Sequence, residues 1–325
     1  MATPQAPLGS GMDAATTAAE AIEGIDLAGR TAIVTGGYSG IGVETVRALR
    51  SAGARVVVPA RDRGKALSTL AGIDVEIETM DLLDPASIDA FADGYLASGQ
   101  PLHILVNGAG IMACPLTRDA RGYEAQFATN HLGHFQLTMR LWPALCRAGG
   151  ARVVSVSSWG HRRSPVMFED PHFERRAYDR WSAYGQSKTA NVLFALELDE
   201  RGRADAVQAF SVHPGVIVDT GLGKHLTREE LLALGVIDAD GKPILDPSRN
   251  LKTAEQGAAT SVWCATSPQL DGMGGVYCEN CDIAPPVPEH GSASSGTGSP
   301  GFGIMAHAID PEAAAHLWSL SQRLI

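Results

Sequence analysis

The sequence contains no apolar run approaching the roughly 18 residues of a membrane-spanning helix, which removes a spanning segment from consideration. Its opening stretch, "MATPQAPLGSGMDAATTAAEAIEG", lacks both a basic n-region and an apolar h-region. No secretory signal is therefore expected, and a cytoplasmic location follows. Basic residues are in deficit: 26 Lys and Arg stand against 36 Asp and Glu, giving a net charge of −10 and a pI of about 5.4. Nucleic acid is thereby excluded as the main partner, because neutralising phosphates needs the opposite balance. The five cysteines, Cys114, Cys146, Cys264, Cys278 and Cys281, are odd in number and scattered, so no disulfide framework is expected. Cys278 and Cys281 form "CENC", but no second ligand pair accompanies them and no metal site is assigned. The pair also ends an apparent strand late in the chain, where a thioredoxin-type motif would open a helix, so both thiols are read as structural.

What is present is an ordinary globular composition, 45% hydrophobic and 19% charged, in 325 residues. Short apolar runs, "TAIVTGG", "ARVVVPAR", "VEIETMD", "HILVNGAG", "ARVVSVSS", "VQAFSVHPG" and "GGVYCEN", alternate with amphipathic helical patterns. Strands that are apolar throughout and separated by helices indicate a parallel sheet covered on both faces. The expected fold is α/β: a doubly wound, Rossmann-like parallel sheet of seven strands with helices on both faces. Residues 1–26 read as a flexible N-terminal arm and 27–325 as one domain. Two stretches break the rhythm: a substrate-loop insertion at about 219–250 and a Gly/Ser/Pro-rich loop at about 284–303. A closing helix follows, with Asp310 as N-cap and Pro311 at its first position.

Chemistry concentrates at the ends of the strands. "VTGGYSGIG" sets Gly36, Gly40 and Gly42 between the first strand and the next helix, with Tyr38, Ser39 and Ile41 in the same turn. Glycines there let the backbone approach a pyrophosphate, and the helix N-terminus offers it unpaired N–H groups. The second strand ends in Ala60 and Arg61, where an Arg accommodates a 2′-phosphate and a carboxylate would instead hold ribose hydroxyls. This favours NADP(H), with the neighbouring Asp62 keeping NAD(H) open. Asp81 and Leu82 follow the third strand and suit an adenine contact; "NGAG", Asn107, Gly108, Ala109 and Gly110, follows the fourth, with small residues beside a cofactor. Tyr184 and Lys188 stand four apart in "YGQSK" and share one helix face.

"TGGYSGIG", "NGAG", Asn130 in "TNHLGHF", Ser158 in "VVSVSSWG", "YGQSK" and "HPG" occur in an order that resembles the short-chain dehydrogenase/reductase family over about residues 27–282. "TNHLGHF", "SSWGHR" and "AEQGAATSVWCATSP" are most similar to its retinol dehydrogenase and WW-domain oxidoreductase branch. The family's usual "NNAG" is "NGAG" here, with Gly108 in place of the second Asn.

The resemblance implies a catalytic set of Asn130, Ser158, Tyr184 and Lys188. Tyr184 would exchange a proton with the substrate oxygen, and Ser158 would donate to that oxygen as charge develops. Asn130 would position Lys188, which would hold ribose hydroxyls. The Lys188 ammonium and the positive nicotinamide of the oxidised cofactor would together favour the Tyr184 phenolate; lowering its pKa by about two units takes roughly 2.7 kcal/mol of differential interaction. Ser157 is the alternative to Ser158; the family register before "WGHR" selects Ser158. Pro214 and Gly215 of "HPGVIVDTGL" would turn the chain under the nicotinamide, with Val216 and Thr220 at its carboxamide. His131 and His213 are read as structural.

The implied activity is NADP(H)-dependent interconversion of a ketone or aldehyde and an alcohol. Reduction of an activated C=C bond and a catalytically silent nucleotide-binding scaffold are the alternatives. The expected partner is a small, mostly apolar carbonyl or alcohol compound in a pocket lined by Met112, the loop after Ser158 and the two irregular stretches. Association into homo-oligomers is open, since the long C-terminal segment would lie over a customary interface.

Overall fold

One sheet organises the computed structural model, which describes residues 3–218, 220–287 and 302–325. Its strands are β1 (Thr31–Thr35), β2 (Arg55–Ala60), β3 (Glu76–Thr79), β4 (Ile104–Asn107), β5 (Ala151–Val156), β6 (Val207–His213), β7 (Val276–Glu279) and β8 (Asp282–Ile283). They lie in the order β3-β2-β1-β4-β5-β6-β7-β8. The seven expected strands are parallel to one another, and β8 is an added antiparallel edge paired to β7. The reversal into β8 passes through Asn280 and Cys281, both left-handed at φ 54° and 58°. A strand of two residues carries no alternation of apolar and polar positions, so the pattern merges it with β7.

The strands are buried on both faces because their residues are apolar on both faces. Ala32, Val34, Val56 and Val58 pack under helices Ile41–Ser51 and Ala254–Thr266. Ile33, Val57, Leu105 and Val153 face helices Pro85–Ala97, Gly133–Arg147 and Arg180–Gly202. Strand order reverses between β1 and β4, where one connection leaves to each side. In open α/β sheets that reversal opens a crevice at the carboxyl ends of the strands, and the functional loops line it.

The N-terminal residues depart from the flexible arm expected for 1–26. Gln5 acts like an added edge residue: its Nε2 donates to the Tyr277 and Ala284 carbonyls at 2.8 and 2.6 Å, and its Oε1 accepts from Tyr277 N at 3.0 Å. The Asp282 carboxylate accepts from Leu8 N and Gly9 N. A capping box at Thr17 then opens a one-turn helix, Ala18–Ala21, whose Ala18 and Ala21 join the core beneath Ala254–Thr266. The arm thus covers the sheet edge at β7 and β8, which otherwise presents unpaired backbone groups.

Of the expected insertion at 219–250, residue 219 lies outside the described residues. The rest folds on itself: Thr227 and Glu230 form a capping box for helix Arg228–Ala233, and Val236, Ile237 and Leu251 make a small separate core. Of the loop at 284–303, residues 288–301 lie outside the described residues, while its two ends meet through a Pro286–Ile304 bridge. The closing helix, Pro311–Leu324, is capped by Asp310 and packs Trp318 against Phe135 and Phe194.

Candidate active site

The cleft along the carboxyl ends of β1, β2, β4, β5 and β6 has a volume of about 1620 Å³. Small-molecule pockets usually occupy about 300–1,000 Å³, so this one has room for a dinucleotide and a substrate together. At its centre is the turn from β1 into helix Ile41–Ser51. Gly36 is left-handed at φ 70°, and a Cβ there would lie 2.9 Å from Ala109 Cα. Gly42 packs so closely that a Cβ would sit 2.2 Å from the Gly36 carbonyl oxygen. The helix has Gly40 as N-cap with no side-chain cap; Gly42 N and Val43 N bond to the Ser39 and Gly40 carbonyls, and Gly40 and Ile41 line the cleft. A concave backbone wall at a helix N-terminus is the cradle a pyrophosphate requires.

Arg61 lies exposed at the end of β2, on the cleft wall. Its neighbour Asp62 is already engaged: its carboxylate caps helix Arg63–Thr69 by accepting from Lys65 N at 2.9 Å. That turn carries Lys65 onto the same wall, a residue the sequence reading missed. Its signal was the capping spacing Asp62-x-x-Lys65, which puts the lysine one turn behind Arg61. At the next strand, Asp81 and Leu82 also line the cleft, with Asp81 fixed by accepting from Leu83 N and donating its own N–H to Ser87 Oγ.

The "NGAG" loop is held by Thr35 of β1. Its Oγ accepts from Gly108 N at 2.9 Å and Ala109 N at 3.1 Å. Thr35 Oγ also lies 2.8 Å from His134 Nε2, whose Nδ1 is 3.0 Å from the Asn130 carbonyl. Gly108, Ala109 and Gly110 line the cleft; Asn107 does not, because its side chain turns into the core and donates to Thr138 Oγ. Gly42 likewise contributes packing and not wall. Both therefore support the cofactor loops from behind, without the direct contact expected of them.

Asn130 sits in a π-helical stretch, Ala128–Leu132, wedged between the short helix Ala125–Phe127 and helix Gly133–Arg147. The sequence reads as one continuous helix here; such π insertions recur at functional sites. The Asn130 side chain accepts from Ile111 N at 2.9 Å and donates to Ile111 O and Ser187 Oγ. Gly110 lies between it and the lysine: a Cβ there would be 3.2 Å from Asn130 Oδ1 and 3.6 Å from Lys188 Nζ. Asn130 thus holds the walls around Lys188 and does not touch the ammonium itself.

Ser158, Tyr184 and Lys188 converge on the cleft. Ser158 ends the β5 segment, and its Oγ accepts from Gly160 N. Ser157 points the other way and donates to the Lys188 carbonyl at 2.8 Å. Extended backbone thus sends the two hydroxyls to different partners, although both residues border the cleft. Tyr184 and Lys188 lie on the 23-residue helix Arg180–Gly202, capped by Asp179. Gly160 lies against the tyrosine ring, since a Cβ there would come within 2.7 Å of Tyr184 Cε1. Lys188 Nζ donates to the Val156 carbonyl at 2.9 Å and lies 5.7 Å from the Tyr184 ring centroid.

Burial dominates the electrostatics of this pair. It pushes the Tyr184 phenol up to about 12, opposed only by the hydrogen bond from Ser158, and pushes the Lys188 ammonium down to about 7. In the protein alone burial outweighs any lowering of the tyrosine by its lysine, because desolvation disfavours charge on both groups. The same effect keeps the nearby histidines neutral. His213 is pushed down to about 3, and its Nδ1 accepts from Trp159 N and Gly215 N, shaping the loops. His131, also pushed to about 3, ties to Ser321 of the closing helix. All five cysteines are free, and Cys278 and Cys281 are fully buried.

Pro214, Gly215 and Val216 form the floor after β6, with Gly215 at φ 93° against the Lys252 side chain. Thr220 lies over the glycine turn, where a Cβ on Gly40 would meet its Cγ2 at 2.7 Å. Met112 lines the cleft with Trp159 and Trp181, and among the described residues no helix is long and apolar enough to cross a membrane.

The family model for short chain dehydrogenases matches residues 30–231. The chain is 48% identical over 301 residues to a probable oxidoreductase of Streptomyces lividans, covering 90% of this chain and 97% of that one. It is 40% identical over 264 residues to human retinol dehydrogenase 12, covering 79% of each. Among solved structures, an uncharacterised protein from Mycobacterium paratuberculosis superposes with a TM-score of 0.70 at 32% identity, covering 94% of this chain and 96% of that one. The Pseudomonas aeruginosa RhlG/NADP active-site complex has a TM-score of 0.59 at 25% identity, covering 78% and 95%. The chain belongs to the short-chain dehydrogenase/reductase family of oxidoreductases.

Proposed function

We propose that this protein interconverts a ketone or aldehyde and an alcohol with NADP(H), using Tyr184 as general acid and base. One observation carries the reading: Ser158 and Tyr184 line the same end of a dinucleotide-sized cleft, with Lys188 buried beside them. Bound NADPH supplies the hydride. In reduction, the substrate oxygen accepts from Ser158 Oγ and takes the Tyr184 proton as its C=O π bond breaks and new C–H and O–H bonds form. Burial supports this direction, because a phenol held near 12 keeps its proton throughout the neutral range. Lys188 provides a cation behind the ring and a donor for ribose hydroxyls, and Asn130 keeps the surrounding backbone in register.

NADP(H) is preferred because Arg61 and Lys65 offer two cations at the end of β2, while Asp62 is taken up as a helix cap. Consumption of NADPH with a panel of ketones, aldehydes and enones tests the whole reading. Turnover of ketones or aldehydes is expected. Turnover confined to enones would instead mean C=C reduction, and tight NADPH binding without turnover of any compound would mean a nucleotide-binding scaffold.

A further inference from the structure

The substrate end of the cleft has an electrostatic character opposite to that of the molecule. The chain carries a net charge of −10. Yet the cleft lining includes Arg162, Arg163, Lys224 and Arg249, and its one acidic residue among those described, Asp81, lies at the far end with Arg61. Arg162 is committed to structure, donating through Nη2 to the Phe302 and Gly303 carbonyls. Arg163 is placed differently. Its side chain starts over Gly185, the residue after the tyrosine, where a Cβ would come within 2.9 Å of Arg163 Cβ. Its guanidinium carbon then lies 4.8 Å from the Trp181 ring centroid and 5.7 Å from that of Trp159. The Trp181 ring in turn meets Tyr184 edge-on at 6.4 Å.

Stacking on indoles engages the faces of a guanidinium and leaves its in-plane N–H fork available, which suits bidentate capture of a carboxylate. The carboxylate that Arg163 influences, Asp179, is outside the lining and already caps the tyrosine helix through Ser182 N. The lining also carries exposed apolar side chains, Leu232, Leu234 and Phe302, at 39%, 45% and 45%. Resting on the reading of this cleft as a carbonyl site, we infer that its substrate is amphipathic: an apolar, preferably aromatic body bearing a carboxylate that docks on Arg163. This refines the mostly apolar compound expected from the sequence. The body lies against the leucines and indoles, and the anion selects among apolar carbonyl compounds.

Matched pairs of probes test this: 4-acetylbenzoate and its methyl ester, and longer aryl keto acids with their esters, all with NADPH at fixed ionic strength. The wild-type protein should favour each best acid over its ester by about tenfold in kcat/KM. Arg163→Gln should bring that ratio to about one by slowing the acid and sparing the ester, and Arg163→Lys, keeping charge but losing the fork, should fall between. Equal or better use of the esters by the wild type, or an unchanged ratio in Arg163→Gln, overturns the inference. The same acid-to-ester ratio is read as Kd from quenching of tryptophan emission in the complex with NADP+, which has no hydride to give, so it does not depend on turnover. A binding preference without carbonyl turnover would break the proposed function alone; carbonyl turnover without a preference would break this inference alone.

Discussion

The two halves of the cleft are built by different means. At the carboxyl ends of β1, β2 and β4 the wall is largely backbone, and its shape is set by positions where a methyl group would collide with main chain, as at Gly36 and Gly42. Beyond β5 and β6 the wall is made of side chains on loops and short helical turns: Trp159, Arg163, Leu232, Leu234 and Phe302. The first half recognises a ligand that is the same for many enzymes, and backbone donors suffice for phosphates. The second must distinguish one carbonyl compound from another, which requires side chains that differ in size and charge. Changes in the first half should therefore act on cofactor binding whatever the substrate, and changes in the second on substrate choice with cofactor binding intact.

The sharpest way to break that division is Gly36→Val. Left-handed strain and the 2.9 Å approach to Ala109 should together weaken NADPH binding by about 100-fold, close to 2.7 kcal/mol, by fluorescence titration. Binding within a fewfold of wild type would mean the turn is not the cradle. The pH dependence joins the halves at the tyrosine. Alcohol oxidation needs the Tyr184 phenolate, and with the phenol pushed up to about 12 that form becomes more abundant as pH rises. The oxidation rate should climb by up to about tenfold per pH unit above neutrality, while carbonyl reduction, which uses the protonated phenol, should not rise and falls off as the Lys188 ammonium, pushed down to about 7, loses its charge. An oxidation rate already level at pH 7 would show a phenol far more acidic than burial makes it.

A third change separates cofactor choice from substrate choice. Arg61→Asp combined with Lys65→Ala should move the NADPH-to-NADH preference by about 30-fold towards NADH, since two charge-assisted contacts are lost. Substrate ranking should not move with it. The smallest effect is expected at Leu232→Ser on the other wall. KM for an apolar carbonyl compound should rise about threefold, with thermal stability and NADPH affinity unchanged, because this leucine is already exposed. A shift in NADPH affinity there would blur the division.

The same contrast explains what could be read from the chain. The seven parallel strands, the glycine turn and Arg61 were legible because each obeys a short-range rule: an apolar run, a steric requirement, a charge at a strand end. Tyr184 and Lys188 were legible as a helical pair, and Ser158 only through its family register, until Ser157 was found bonded to the Lys188 carbonyl. What escaped depends on long-range partners. Nothing in "MATPQAPLG" announces that Gln5 will pair with Tyr277, some 270 residues away. The π insertion at Asn130 has the same periodicity signal as plain helix, and Lys65 reaches the wall only because Asp62 caps its turn. Burial also pushes the Tyr184 phenol up where the spacing to Lys188 suggested a lowered one, since spacing alone does not report desolvation.

The central claim is that the Tyr184 hydroxyl moves the proton. Tyr184→Phe keeps the ring that packs on Gly160 and removes only that group. Single-turnover reduction of a carbonyl substrate by pre-bound NADPH should slow by about 1,000-fold in this variant, with the NADPH Kd unchanged within about twofold. A rate within about tenfold of wild type, at the same cofactor affinity, would contradict the account and assign the proton to another group.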